Sequence, residues 1–338
     1  MEKFRFNIQL FAAETQTTEA SHLSAEMKTF YDTALIKNAK PNLVHDQFGE
    51  EKPIPQNNGK KIEFRKFSSL KPAMTPLVEG VTPDGNKLEA IAVTATVGQY
   101  GDYVEYSDML KMTTVDPYVS EVTAALAAQA GLTKDHLTRN ELIAGTNVVF
   151  AEKIDADGTV TPATSRAQLT GDNMLNVRTI LRAAAILKAQ NAPTINGSYI
   201  GIIHPYAKYD LLAEAGKNWT DIASYGEHIK DIMEGEIGKI GNVRFVETSE
   251  AKVYAKGKDN CPNSIFCTLV LGAGAFGKTK VEGGGMEMIV KQLGSGNDPL
   301  NQRATVGWKM THVAKRLKEE NMVRIESCSK QFADIAEN

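Results

Sequence analysis

The longest helical pattern of apolar positions runs from Asp116 to about Ala151. Tyr118, Val122, Ala125, Leu132 and Ile143 fall near one stripe, and Val119, Leu126, Ala130 and Leu137 fall on the adjacent one, so the apolar face is broad. Asp116 can accept from the free N–H groups of a first turn, Pro117 suits the first helical position, and no proline follows until Pro162. About 35 residues at 1.5 Å each predict a rod of roughly 50 Å, against a usual helix of about 11 to 12 residues. Gly131 costs about 1 kcal/mol relative to alanine, and Thr133 with Asp135 could cap a second helix, so a kink or break there is the alternative.

On either side of this rod the pattern changes to that of strands. Lys61 to Phe67 sets Ile62, Phe64 and Phe67 among charges, as in a strand with one wet face. Ile91 to Tyr106 is rich in Val, Thr and Tyr, with bulges or bends expected at Gly98 and Gly101. Ser68 to Glu89, between them, holds Pro72, Pro76, Pro83, Gly80 and Gly85 and few apolar residues. A hairpin with so long a polar tip buries little within its own subunit, so it is either mobile or laid on a neighbour. Residues 1–57 read as an extended arm with one short amphipathic helix after Ser24, carrying Met27, Phe30, Tyr31, Ala34 and Leu35. Downstream, Asn173 to Ala192, with Asp172 near its start, predicts an amphipathic helix packed on a sheet. Tyr199 to Ile203 predicts a buried strand leading through His204-Pro205 into a short helix ending near Leu212. Val243 to Val246, Phe266 to Leu271, Met286 to Lys291, Thr305 to Ala314 and Met322 to Cys328 are further strands, and a loose polar tail is expected after Ser329. The class is α+β.

The chemistry narrows the function by what it excludes. A net charge of −3 over 338 residues argues against a protein that coats nucleic acid through a broad basic face. Three cysteines without a CxxC pair indicate reduced thiols, with neither a disulfide framework nor a zinc knuckle. No apolar run approaches the roughly 20 residues that cross a bilayer, so export and membrane insertion are not expected. Asp155-Ala156-Asp157-Gly158 reads as a tight turn, since the later glycine and glutamate of a calcium loop are missing. Gly235, Gly238 and Gly241 lack the strand-turn-helix setting of a phosphate loop. His204 has no partner at a useful spacing and is expected to be structural. Asp135 and His136 point about 100° apart on a helix, so with Arg139 they read as a solvated face. No G-x-S-x-G, H-E-x-x-H or Walker pattern occurs, so catalytic, cofactor-binding and metal residues are all expected to be none, and the chain is not expected to be an enzyme.

Several stretches, in order, resemble the major capsid proteins of tailed bacteriophages. They are Leu43-Val44-His45-Asp46-Gln47-Phe48-Gly49, Ile62 to Phe67 (IEFRKF), Pro76 to Pro83 (PLVEGVTP), Gln99-Tyr100-Gly101, Gly235 to Gly238 (GEIG), Val243 to Thr248 (VRFVET) and above all Asp298 to Lys309 (DPLNQRATVGWK). Within that group the chain looks most like the N4-type major capsid family. The resemblance implies a Hong Kong 97-like phage capsid fold with an N-arm, an E-loop, a peripheral domain with a long spine helix, and an axial domain. It implies an N-terminal arm at 1–57, an E-loop hairpin at 58–107, a peripheral domain with spine helix at 108–195, an axial domain at 196–284, and peripheral return strands with a C-terminal tail at 285–338. The implied function is self-assembly into hexamers and pentamers of an icosahedral shell enclosing double-stranded DNA, assembled in the host bacterial cytoplasm. Implied partners are the chain itself, a separate scaffolding protein, a portal, an optional decoration protein, and weak nonspecific contact with packaged DNA. The short arm predicts no maturation cleavage. Arg65 and Lys66 on the hairpin stem, Glu79 and Asp84 near its tip, and Phe30 and Tyr31 in the arm are the expected subunit-interface residues. The rivals are an encapsulin-like compartment shell and an enzyme using the Gly-rich region from Glu234 to Asn242.

Overall fold

The computed structural model describes residues 43–55, 59–67, 70, 72–76, 79–80, 82, 85–113, 118–155, 157–215, 219–221, 233, 235–280, 284–294 and 298–338. The arm helix expected after Ser24, the helix start expected at Asp116-Pro117, and residues 68–69, 71, 77–78, 81 and 83–84 of the Ser68–Glu89 tip lie outside these residues. In chain order the strands are β1 Glu50–Glu51, β2 Lys61–Phe67, β3 Ala90–Thr96, β4 Gly98–Ser107, β5 Val148–Phe150, β6 Lys153–Ile154, β7 Val160–Thr161, β8 Tyr199–Ile203 and β9 Trp219–Asp221. They continue with β10 Glu236–Ile240, β11 Val243–Glu247, β12 Val253–Tyr254, β13 Ile265–Leu271, β14 Phe276–Thr279, β15 Glu287–Lys291, β16 Arg303–Arg316 and β17 Met322–Cys328. The long helix is Tyr118–Ile143. The chain divides into two compact units, a smaller one containing Gln99–Leu132 and Gly284–Thr311, and a larger one of Leu43–Gly98, Thr133–Gly283 and His312–Asn338.

The larger unit is built on an 8-stranded sheet in the order β5-β17-β13-β8-β11-β10-β9, with β12 beside β13. Every residue of β8 and β13 is buried, with no polar alternation, because both faces of the sheet are covered. On one face, Ile180, Ala183, Ala184 and Leu187 of helix Val177–Ala189 pack with Tyr199, Phe245, Phe266 and Val323. On the other, Leu142 and Ile143 from the end of the long helix pack with Ile200, Ile202, Leu269 and Phe276.

Several boundaries differ from the sequence expectations for local reasons. The long helix is continuous through Gly131 but ends at Ile143, not near Ala151. Val148, Val149 and Phe150 suit an extended chain and pair in parallel with Arg324, Ile325 and Glu326 instead. The second helix starts at Val177, where the Asn176 carboxamide accepts from the Thr179 N–H at 2.8 Å. Asn173 is occupied elsewhere, donating to the Ala151 carbonyl at 2.9 Å. The tail after Ser329 is fastened. Phe332 stacks on Tyr206 at 4.0 Å, the Ser264 N–H donates to the Ala333 carbonyl at 2.9 Å, and the Val253 N–H donates to the Asn338 side chain at 2.9 Å. The glycine-rich region is an antiparallel β10–β11 pair turning at Gly241, not a phosphate loop.

In the smaller unit β15 pairs antiparallel with β16, from Glu287 opposite Lys309 to Lys291 opposite Thr305, and β4 lies along β16 as well. A Cβ on Gly307 would sit 2.8 Å from the Tyr103 Cβ, and one on Gly101 would sit 2.5 Å from the Trp308 carbonyl oxygen. Both glycines therefore let β4 and β16 approach more closely than side chains allow. The Trp308 indole donates to Gln129 of the long helix at 3.0 Å, and Gln129 donates on to Asp102 at 2.7 Å.

The hairpin β2–β3 is rooted in the larger unit. Its base is closed by the Val97 N–H donating to the Lys60 carbonyl at 2.9 Å. Phe64 is 3% exposed and lies over Gly277, where a Cβ would come within 2.6 Å of its ring. Phe64→Ala is therefore expected to cost about 3 kcal/mol. Hydrogen exchange should speed up in 61–67 and 90–96 while the amides of 265–271 keep their protection, and equal loss in both regions would show that Phe64 is not the root.

Candidate assembly interface

The hairpin is paired in register, with Ile62 opposite Ala95, Phe64 opposite Val93 and Lys66 opposite Ile91. These pairs share one face. Near the base that face is buried, with Phe64 and Ala95 in the core, whereas farther out Ile91 is 55% exposed. Leu70, Met74 and Leu88 are exposed along the same two limbs, as is Phe67 on the other face. These exposed apolar side chains make the hairpin a candidate surface for contact.

The chain that precedes the hairpin is held by buried charge. Asp135, on the long helix and fully buried, accepts from the His45 backbone N–H at 2.7 Å and contacts the His45 ring nitrogen Nδ1 at 2.6 Å. The next residue, Asp46, is also buried and meets Lys134 at 2.7 Å and Lys278 at 3.2 Å. Thr138 donates its hydroxyl toward Asp46 at 3.3 Å and lies 3.1 Å from the His312 ring nitrogen Nε2. Burial alone would raise the Asp46 carboxyl, but Lys134, Lys278 and His312 outweigh it and hold it below its usual value. Burial lowers His312 to about 4, with Asp46 opposing the shift and the two lysines adding to it. From this joint the chain runs on as β1, parallel to β14, with the Lys52 N–H donating to the Lys278 carbonyl at 3.0 Å and the Ile54 N–H to the Lys280 carbonyl at 2.9 Å.

These contacts correct the reading of Asp135, His136 and Arg139 as a solvated helix face. Asp135 and Arg139 are buried, Arg139 donates to the Glu250 carbonyl at 2.7 Å, and His136 meets the Glu250 carboxylate at 2.7 Å. His204 is structural as expected, buried with its ring nitrogen accepting from the Tyr206 N–H at 3.2 Å. In the smaller unit, Asp102, Glu105, Lys291, Arg303, Trp308 and Lys309 line an open groove of about 820 Å³ that mixes both signs of charge. Among the described residues no cluster of three or more His, Cys, Asp or Glu is placed to hold a metal, and no helix is long and apolar enough to cross a membrane.

A family profile described as "Phage capsid protein" matches residues 90–325. The chain belongs to that family. The capsid subunit also resembles solved capsid structures at low identity. The capsid of Ralstonia phage GP4 is 15% identical, with a TM-score of 0.68 over 96% of this chain and 98% of that one. The capsid of the cyanophage P-SCSP1u is 15% identical, with a TM-score of 0.57 over 85% and 88%. The capsid of the cyanophage Pam1 is 12% identical, with a TM-score of 0.57 over 98% and 100%. No curated protein matches significantly. The fold is the Hong Kong 97-like capsid fold, and the protein is a shell-forming major capsid protein of a tailed phage.

The interface residues expected for such a subunit are only partly within view. Arg65 is exposed and pairs with Glu63 of its own strand at 3.0 Å. Lys66 lies in β2, with its side chain outside the described set. Glu79 sits in an exposed turn with Gly80. Asp84, Phe30 and Tyr31 lie outside the described residues. Among the described residues no ion pair joins Arg65 to Glu79. Sequence reasoning missed the joint of His45, Asp46, Asp135, Lys278 and His312, although Asp135 and Thr138 occupy the same helical face as Leu142, three and four positions apart.

Two outcomes follow for this joint. Asp46→Ala leaves Lys134 and Lys278 without their common counter-charge and is expected to cost about 3 kcal/mol in denaturant unfolding. His312 stays neutral in the folded chain down to about pH 4, while the unfolded chain binds that proton near 6.5, so stability is lost as pH falls from 6.5 toward 4. Its contribution is at most about 1.4 kcal/mol per pH unit, and His312→Gln should flatten the slope in that window. A parallel slope in the variant would assign the acid sensitivity elsewhere.

Proposed function

We propose that the subunit forms hexamers and pentamers that close into an icosahedral shell around a double-stranded DNA genome. The observation that carries this reading is the hairpin β2–β3, anchored at its root by Phe64 and bare of cover beyond it. In the proposed organisation residues 1–57 are the N-arm, 58–107 the E-loop, 108–195 with 285–338 the peripheral domain, and 196–284 the axial domain. The E-loop and N-arm lie across neighbouring subunits, and axial loops meet at the symmetry axes. Interface contacts are assigned to Arg65, Lys66, Glu79, Asp84, Phe30 and Tyr31. Charge pairs at exposed positions are individually weak, so their effect comes from repetition around the shell. The role is mechanical and not enzymatic. Assembly takes place in the bacterial cytoplasm with a separate scaffolding protein and a portal, a decoration protein being an optional addition. Contact with packaged DNA is weak and nonspecific, in keeping with a net charge of −3. The family match favours this over an encapsulin-like compartment.

Negative-stain microscopy of the expressed protein should show roughly spherical shells or hexamer sheets, and catalytic activity from soluble monomers would count for the enzyme reading. The double variant Glu79→Ala with Asp84→Ala should lower shell yield and particle melting temperature. Unchanged values of both would remove these carboxylates from the interface.

A further inference from the structure

Two of the three cysteines are neighbours in the fold though 67 positions apart in the chain. The sulfurs of Cys261 and Cys328 lie 3.6 Å from each other, both side chains buried with Leu169, Ala163 and Ile265. Cys328 is the last residue of β17, opposite Ile265 in the ladder, and Cys261 ends the loop that leads into β13. The thiols are therefore held where β13 begins and β17 ends. A disulfide requires the sulfurs to close by about 1.5 Å, a distance within reach of side-chain rotation where the backbones are already neighbours. The third cysteine, Cys267, pairs in register with Glu326, two ladder positions away, and supplies an internal control.

The buried pair lies next to an exposed turn. Cys261 follows the exposed residues Lys256 to Asn260, a tight turn in which Gly257, Asp259 and Asn260 all take positive φ. That turn is tied by the Gly257 N–H to the Cys261 carbonyl at 2.8 Å and by an Arg166–Asp259 ion pair at 2.6 Å. Opening so short an exposed turn brings solvent to the thiols without unfolding the sheet. Burial and the adjoining Cys261 keep the Cys328 thiol protonated, so the pair stays reduced until such an opening occurs.

We propose that Cys261 and Cys328 are a latent disulfide site, closed by a low-molecular-weight disulfide when the particle passes from reducing to oxidising surroundings, and that the bond staples β17 to the entrance of β13. One thiolate attacks the small disulfide, forming a mixed disulfide and releasing one small thiol. The second thiolate then displaces the other small thiol. Two protons and two electrons pass from the protein to the oxidant, and one S–S bond replaces another. The bond closes a loop spanning β13 to β17, so it restricts the unfolded chain more than a local link does.

The test uses assembled particles and full-length chain incubated with oxidised glutathione at pH 8, then denatured and alkylated without reduction. The expected product carries one alkyl group, on Cys267, and a non-reducing peptide map joins the segments containing Cys261 and Cys328. Its melting temperature should rise by about 5 °C or more over the reduced chain. Cys261→Ser and Cys328→Ser should each abolish link and shift, while Cys267→Ser keeps both. Because a folded core can exclude the oxidant, the chain is also refolded in a glutathione redox buffer, where the same link is expected. The proposal is overturned by three alkylated cysteines under both regimes, by a link through Cys267 or between two chains, by arrest at the glutathione adduct, or by a link that leaves melting unchanged.

Discussion

Buried charge is costly unless every group finds a partner, and this subunit places that constraint where its N-terminal segment joins its body. Asp135 holds the backbone and ring of His45, and Asp46 gathers Lys134, Lys278, Thr138 and His312. The groups come from the short turn after residue 43, the long helix, β14 and the distal half of β16. An apolar cluster of the same size would tolerate sliding, whereas paired carboxylates fix one register because any shift leaves an ion unmatched in a dry site. The start of β1 and its alignment along β14 follow from that registration.

The hairpin obeys the opposite economy. Its first pairs are settled by contact with the body, Phe64 filling the space that Gly277 leaves open, and farther out Ile91 and Leu88 are exposed. Two antiparallel strands alone are marginal in water. The hairpin is thus fixed at one end by its own chain and exposed at the other, which suits the contacts proposed for it.

Much of the fold was legible because buried strands and the amphipathic helix Val177–Ala189 carry strong local patterns. Tyr199 to Ile203, short, apolar and rich in isoleucine, reads as a buried strand, and its helix partner presents Ile180, Ala183, Ala184 and Leu187 on one side. The long helix was legible in existence but not in extent or facing. Its buried positions Val122, Leu126, Ala130, Thr138 and Leu142 lie four or eight residues apart, so the stripe drifts by about 40° every four residues and escapes a fixed helical period. Its end was hidden because Val148 to Phe150 are long-range partners of β17, a pairing no local window contains. The buried joint was hidden for the reverse reason: adjacent charges on a helix ordinarily face water, and only the arrival of residues some 90 positions earlier makes Asp135 internal. The tail looked polar in composition, yet Phe332 and Ile335 pack on the core and hydrogen bonds to Ser264 and Val253 hold the chain between and beyond them.

The segment around Lys52 and the hairpin share a common support in the larger unit. Lys52 hydrogen-bonds to Lys278 on β14 while its ammonium lies 5.6 Å over the ring of Phe64, and that ring rests on the neighbouring Gly277. Two levers thus share one fulcrum. A displacement of either segment is felt at the seat of the other, so the chain around Lys52 and the hairpin are mechanically coupled within a few residues of β14.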